Sequence, residues 1–198
     1  MSVAVVKLGV GNTASVMFAL ERLGAKATLT DDATRIAEAE RVIMPGVGAA
    51  AFAMDVIRDR GLAPVLKAYK RPLLGICLGQ QVLFEASEEG DAEGLGLLPG
   101  RVRKMVPPAG DVLPHMGWSR VAKRKDNPLY EGVTDGAYFY FVHSYECPLG
   151  DYAIASAAYG APFAASIGQG NVYGCQFHPE RSGEAGARLL SNFLSLPC

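Results

Sequence analysis

Neither sign of charge is in excess in this sequence: 19 Lys and Arg stand against 20 Asp and Glu, a formal net charge of −1 at pH 7. That balance argues against a nucleic-acid or membrane-surface partner, which would need a basic face. No apolar run approaches the length of a membrane span. The four cysteines, Cys77, Cys147, Cys175 and Cys198, lack the spacing of a disulfide framework. Residues 1–7 lack the basic and long apolar regions of a signal peptide, so free thiols in a reducing cytoplasm are expected. Cys175 and His178 have metal-like spacing, but no second pair exists to complete a zinc site, and neither metal nor cofactor is expected. Repeats, low-complexity tracts and an interdomain linker are also missing. What remains is an ordinary globular composition, 49% hydrophobic and 20% charged over 198 residues. It predicts a single domain spanning residues 1–198, with a core that needs no staples.

What the chain does have is Leu73-Leu74-Gly75-Ile76-Cys77-Leu78-Gly79-Gln80-Gln81. Residues 73–76 form a continuous apolar run, as in a parallel strand covered on both faces. Gly75 and Gly79 flank Cys77 two residues to either side. This is the G-x-nucleophile-x-G spacing of a nucleophile elbow, with sulfur in place of a hydroxyl. Strand and helix pass so closely there that a Cβ would clash. The turn lifts the thiol to a helix N-terminus, which favours a thiolate. An inert core cysteine is the competing reading, and a base elsewhere in the chain would decide against it.

The first half reads as strands alternating with helices. Residues 3–6, 27–30, 41–44 and 73–76 are the strands. The helices run from Asn12 or Thr13 to Gly24, around 34–39, over 49–58 and over 62–68. This order predicts a mostly parallel sheet with right-handed crossovers and a site at the carboxyl ends of its strands. Gly9-Val10-Gly11-Asn12 has two of the three glycines of a dinucleotide fingerprint and reads better as a tight strand–helix turn. Pro45-Gly46-Val47-Gly48 breaks the third strand. Backbone N–H groups of Gly46, Val47 and Gly48 are candidates for an oxyanion hole, with a plain turn as the alternative. After Gly90 the pattern changes. Residues 101–106 alternate as a half-exposed antiparallel strand does. Residues 137–145, 153–158, 163–167 and 172–177 are short strands, with a hairpin at Gly168-Gln169-Gly170-Asn171. Residues 184–196 form a closing helix with Ala187, Leu190 and Leu194 on one face.

Of the three histidines, His178 is the strongest base candidate. His178-Pro179-Glu180 places a carboxylate two residues on, so in an extended chain both side chains share a face. Such a carboxylate fixes the imidazole tautomer and stabilises imidazolium. His143 is the runner-up, and His115 is expected on a loop. Met116 and Trp118, also expected on that loop, are candidates for an exposed anchor at a partner interface. Core packing of Trp118 is the alternative.

Together, Gly75-Ile76-Cys77-Leu78-Gly79-Gln80-Gln81 and the distant His178-Pro179-Glu180 resemble the class I (triad) glutamine amidotransferase family, over nearly the whole chain. Gly9-Val10-Gly11-Asn12, Pro45-Gly46-Val47-Gly48, Pro114-His115-Met116-Gly117-Trp118, Phe141-Val142-His143-Ser144-Tyr145 and Phe177-His178-Pro179-Glu180-Arg181-Ser182 are similar to the marks of one branch, the glutaminase subunits of imidazole glycerol phosphate synthases. The resemblance implies a flavodoxin-like α/β fold with a small antiparallel section in the second half. It implies that Cys77 attacks the glutamine amide, that His178 shuttles the proton and that Glu180 orients His178. The N–H of Leu78 would join residues 46–48 at the oxyanion, and Gln81, Ser144 and Tyr145 would lie near bound glutamine. Ammonia would pass to a (β/α)8-barrel cyclase subunit, with Asn12 and Arg181 joining Met116 and Trp118 on the partner face. There it would meet N'-[(5-phosphoribulosyl)formimino]-AICAR ribonucleotide and give imidazole glycerol phosphate and AICAR. Lys7-Leu8, Gln80 and Arg181 depart from the family's usual residues, while the triad does not. A glutaminase serving another synthase, a catalytically inactive docking module and a cysteine hydrolase acting on peptides are the competing readings.

Overall fold

A computed structural model describes residues 2–9 and 13–198. Asn12, expected as a helix cap and on the partner face, lies outside the described residues, as do Val10 and Gly11 of the first glycine turn.

The first half alternates as expected. It runs β1 (Ser2–Val6), α1 (Thr13–Arg22), β2 (Lys26–Thr30), α2 (Ala33–Glu38), β3 (Arg41–Gly46), α3 (Ala50–Asp59), α4 (Leu62–Ala68) and β4 (Leu73–Cys77). Asp32 starts α2 by accepting from the N–H groups of Thr34 and Arg35, satisfying two donors that a helix start leaves open. Then come α5 (Leu78–Gln81), β5 (Phe84–Ser87), β6 (Ala92–Glu93), β7 (Leu98–Lys104), β8 (His115–Arg120) and β9 (Ala122–Lys123). The chain finishes with β10 (Tyr138–His143), β11 (Tyr145–Glu146), β12 (Ala153–Tyr159), β13 (Ala161–Gln169), β14 (Val172–Cys175) and α6 (Gly183–Ser195).

The central sheet has eight strands in the order β2-β1-β3-β4-β14-β13-β12-β9. Pairing is parallel from β2 to β14 and antiparallel from there to β9. The hairpin expected at residues 168–171 joins β13 to β14, with Gln169 opposite Val172. One apolar core includes Val6, Met44, Ile57 and Leu73, and a second includes Val5, Ile43, Leu74, Phe141 and Phe193. Successive side chains of β1, β3 and β4 thus feed opposite faces, which is why these strands read as unbroken apolar runs. Two smaller sheets complete the fold, a ribbon of β8 with β10 and a four-stranded sheet β11-β7-β5-β6.

Five sequence expectations are corrected. Pro45 does not break β3, which continues with Pro45 opposite Ile76 and Gly46 opposite Cys77. The ladder to β1 has ended by Ile43, so Pro45 borders only one paired strand and its missing donor is tolerated. The helix after Cys77 is a single four-residue turn, and β5 follows it. The strand expected at 101–106 is β7, which starts at Leu98; it pairs antiparallel with β11, as expected, but parallel with β5 on its other side. His115, Met116 and Trp118 lie on strand β8 rather than a loop. Pro114 and Gly117 read as breakers, but alternation along β8 buries His115 and exposes Met116 and Trp118. Finally, α6 buries Gly186, Leu189, Leu190, Phe193 and Leu194, and Ala187 is exposed.

Candidate active site

The elbow forms where β4 meets α5. Cys77 has φ 54° and ψ −112°, a conformation that a side-chain-bearing residue adopts only under constraint. The glycines are required by close approach rather than by flexibility. A Cβ on Gly75 would lie 2.4 Å from the Gly79 carbonyl oxygen, and one on Gly79 would lie 1.7 Å from that of Met44. The turn therefore nests against both its own strand and β3.

The base arrives from the neighbouring strand. Because β14 pairs with β4, with Cys175 opposite Ile76, the chain leaving β14 carries His178 past Cys77. His178 Nδ1 lies 2.9 Å from Glu180 Oε1, and both side chains are almost wholly buried. His178 Nε2 and Glu180 Oε2 are buried without hydrogen-bond partners. Burial disfavours a charge on His178, but the Cys77 sulfur and the Glu180 carboxylate outweigh it and raise its pKa to about 10. At neutral pH the proton thus resides on the imidazole beside the sulfur, which is what an attacking thiolate needs.

His143 cannot share that task. Its Nδ1 lies 2.8 Å from the Tyr145 carbonyl oxygen, so Nδ1 is the protonated nitrogen. Its Nε2 must then accept from His115 Nδ1 at 3.0 Å, and His115 Nε2 accepts from Ser119 Oγ at 2.8 Å. Both ring nitrogens of His143 are committed, and burial above all pushes its pKa down to about 3. His115 and His143 are neutral structural links between the ribbon and the site.

A cavity of about 240 Å³ opens beside the sulfur, lined by Val47, Gly48, Leu78, Gln81, Ser144 and Tyr145 among others. Six expected site residues therefore meet at Cys77. Gly46 does not line the cavity and is buried behind it, where a Cβ would come 3.1 Å from Leu78 Cβ. Gly48 has φ +98°, a glycine conformation that leaves the loop free of a side chain over the sulfur. The N–H of Leu78, at the start of α5, has no acceptor within its own turn. Sequence reasoning misses Glu89, Pro114 and Val142, which also line the cavity. Glu89 sits in an acidic run that reads as solvated surface, but its carboxylate caps α3 at the Ala50 N–H, 2.8 Å away. Among the described residues, no cluster of three or more His, Cys, Asp or Glu side chains could hold a metal ion. No helix among them is long and apolar enough to cross a membrane.

Of the partner-face candidates, Met116 and Trp118 lie on the ribbon beside the site, and Arg181 lies in the turn that follows His178. Met116 and Trp118 are 63% and 54% exposed. Trp118 meets Tyr140 edge-on at 6.1 Å, and the Arg181 guanidinium lies 5.4 Å over the Tyr140 ring.

This geometry fixes the sign of one expected pH effect. Glu180→Gln removes a negative group that holds the proton on His178, so the alkaline limb of kcat/KM for a Cys77-dependent reaction should move to lower pH. A drop in kcat of about a hundredfold or more should accompany it. An unmoved alkaline limb, read from a pH–rate profile, would count against the assigned role of Glu180.

Comparison with known proteins places the chain. The family model for glutamine amidotransferase class-I matches residues 4–196. "Imidazole glycerol phosphate synthase subunit HisH" of Xanthomonas axonopodis pv. citri is 50% identical, over 98% of this chain and 97% of its own length. The protein of the same name from Vibrio cholerae is 47% identical over 98% of each chain. A solved glutamine amidotransferase shares the fold, with a TM-score of 0.74 at 22% identity, covering 97% of this chain and 96% of its own. A thiol on a strained elbow, a buried histidine–glutamate pair beside it and a match over almost every residue lead to one conclusion: the chain belongs to the class-I glutamine amidotransferase family.

Proposed function

We propose that this chain, acting as one domain in the cytoplasm, is the glutaminase subunit of an imidazole glycerol phosphate synthase. The observation that carries the reading is the Cys77 elbow with the His178–Glu180 pair at its side and a small cavity above it.

Glutamine enters with its side-chain amide at the sulfur. The Cys77 thiolate attacks the amide carbon, and the charge that develops on oxygen is met by N–H groups of Leu78 and of the loop at Val47 and Gly48, while Gly46, buried behind the cavity, only lets that loop pack against Leu78. His178 gives its proton to the departing nitrogen, so ammonia leaves and a glutamyl thioester remains. His178, now neutral, takes a proton from water, which attacks the thioester and releases glutamate and the thiolate. Glu180 holds the imidazole in the tautomer both steps need. Gln81, Ser144 and Tyr145 hold the remainder of the substrate, and the Glu89 carboxylate on the cavity wall complements its α-ammonium group. The cavity is small beside those that take drug-sized ligands, which suits one amino acid.

Nothing so small offers room for a second, phosphorylated substrate. In this reading the ammonia passes to a (β/α)8-barrel cyclase that makes imidazole glycerol phosphate and AICAR. The exposed Met116 and Trp118, with Arg181 and the half-buried Tyr140 between them, receive that partner. The test is glutamine hydrolysis by the chain alone, with a (β/α)8 cyclase, and with cyclase plus its ribonucleotide substrate. Rates should rise along that series. An isolated chain as fast as the mixture would overturn partner control. Trp118→Ala should weaken the complex about 30-fold, measured by calorimetry, since buried tryptophan anchors carry much of an interface's affinity. Its basal hydrolysis should be unchanged, because Trp118 does not touch the cavity.

A further inference from the structure

The mechanism above leaves one buried polar side chain beside the sulfur unused. Gln176 is fully buried. Its Nε2 lies 3.6 Å from Cys77 Sγ, and its Oε1 lies 3.0 Å from Gln81 Nε2. Which end of an amide faces which neighbour follows here from the partners. Gln81 Nε2 also lies 3.0 Å from the Tyr145 carbonyl oxygen. A carbonyl only accepts, so the Gln81 NH2 must face it. The second N–H of that NH2 then faces Gln176, which must present its oxygen. The Gln176 NH2 is thereby turned to the sulfur.

We propose that Gln176 is a further catalytic residue, donating a hydrogen bond from its side-chain amide to the Cys77 sulfur, with Gln81 and the Tyr145 carbonyl setting its direction. The inference rests on Cys77 being the nucleophile. As a thiol, Cys77 donates to the Val142 carbonyl oxygen, 3.8 Å away, and accepts from Gln176. On ionisation the bond to Val142 is lost, because a thiolate has no proton to give. The bond from Gln176 remains and gains from the charge. Gln176 therefore favours the thiolate over the thiol, alongside His178. It also favours the thiolate over the thioester, whose sulfur carries no charge. The amide makes the anion more abundant and each anion less reactive.

That opposition supplies the test. Cys77 alkylation by iodoacetamide is followed against pH in the full chain. It is read at the Cys77 peptide by mass spectrometry, because Cys198 is exposed and will react too. Gln176→Glu keeps an oxygen for Gln81 but replaces the N–H that faces sulfur. Gln176→Met keeps the bulk and removes both polar groups. Both variants should move the profile about one pH unit to the alkaline side. Alkylation at pH 6 should fall several-fold, and the high-pH plateau should rise about threefold. A merely structural residue would lower the rate at every pH. Thermal melts establish that the variants are folded. Folded variants with the wild-type profile, or with a uniform loss, overturn the inference. If wild-type Cys77 itself fails to react, the functional reading fails instead.

Discussion

Gly79→Ala should leave no stably folded protein. The added methyl carbon would lie 1.7 Å from the carbonyl oxygen of Met44. That oxygen is backbone, in strand β3 near the middle of the central sheet, so it cannot swing aside as a flexible side chain would. Relief requires α5 to lift from β3, which disturbs the packing of Leu78 and the parallel ladder between Gly46 and Cys77. The cost should exceed about 4 kcal/mol, a large part of the roughly 5–15 kcal/mol that holds a domain folded. Soluble yield and thermal melts measure it. Gly96→Ala is the matched control. Gly96 has a positive φ, at +64°, which Gly79 does not, but nothing lies within 4 Å of its missing Cβ. That change should cost about 1 kcal/mol. A Gly79→Ala protein melting within a few degrees of Gly96→Ala would show that the crowding at the elbow is not as described.

The second large effect is chemical. Cys77→Ala should reduce glutamine hydrolysis by about 10⁴-fold or more, since the thioester forms on the sulfur that is removed. The complex with the cyclase should still make product when ammonium salts replace glutamine, because ammonia is the species handed over. Loss of ammonium-driven synthesis as well would mean that Cys77 serves assembly rather than chemistry. The same variant tests the electrostatics. Cys77 is one of the two groups that overcome burial to lift the His178 pKa to about 10. Removing the sulfur should lower that value, observable by NMR titration of the imidazole.

How much of this was legible in the sequence depends on how local the cause is. The elbow is legible because its steric demand falls on residues 75, 77 and 79 of one short segment. The pairing of His178 with Glu180 is legible for the same reason, two residues along an extended chain. The parallel half of the sheet is readable because strands buried on both faces are apolar throughout. Strand β8 is not, since Pro114 and Gly117 obscure an alternation that only its pairing with β10 stabilises. Glu89 is hidden because its burial depends on α3, a remote segment. Gln176 is the clearest case. Nothing in its neighbours predicts a contact with sulfur, because the direction of its amide is set by Gln81 and Tyr145, which reach it from other parts of the chain.

The position of β14 has a consequence for synthesis. This strand comes late in the chain, yet it lies between β4 and β13 in the middle of the central sheet. A ribosome-bound chain that has emerged through β13 holds the elbow cysteine but neither the histidine nor the strand that brings it into place. Parallel pairing between strands so far apart in sequence is also slow to form. Glutamine cleavage is therefore withheld from the growing polypeptide until β14 inserts into the sheet and brings His178 to Cys77.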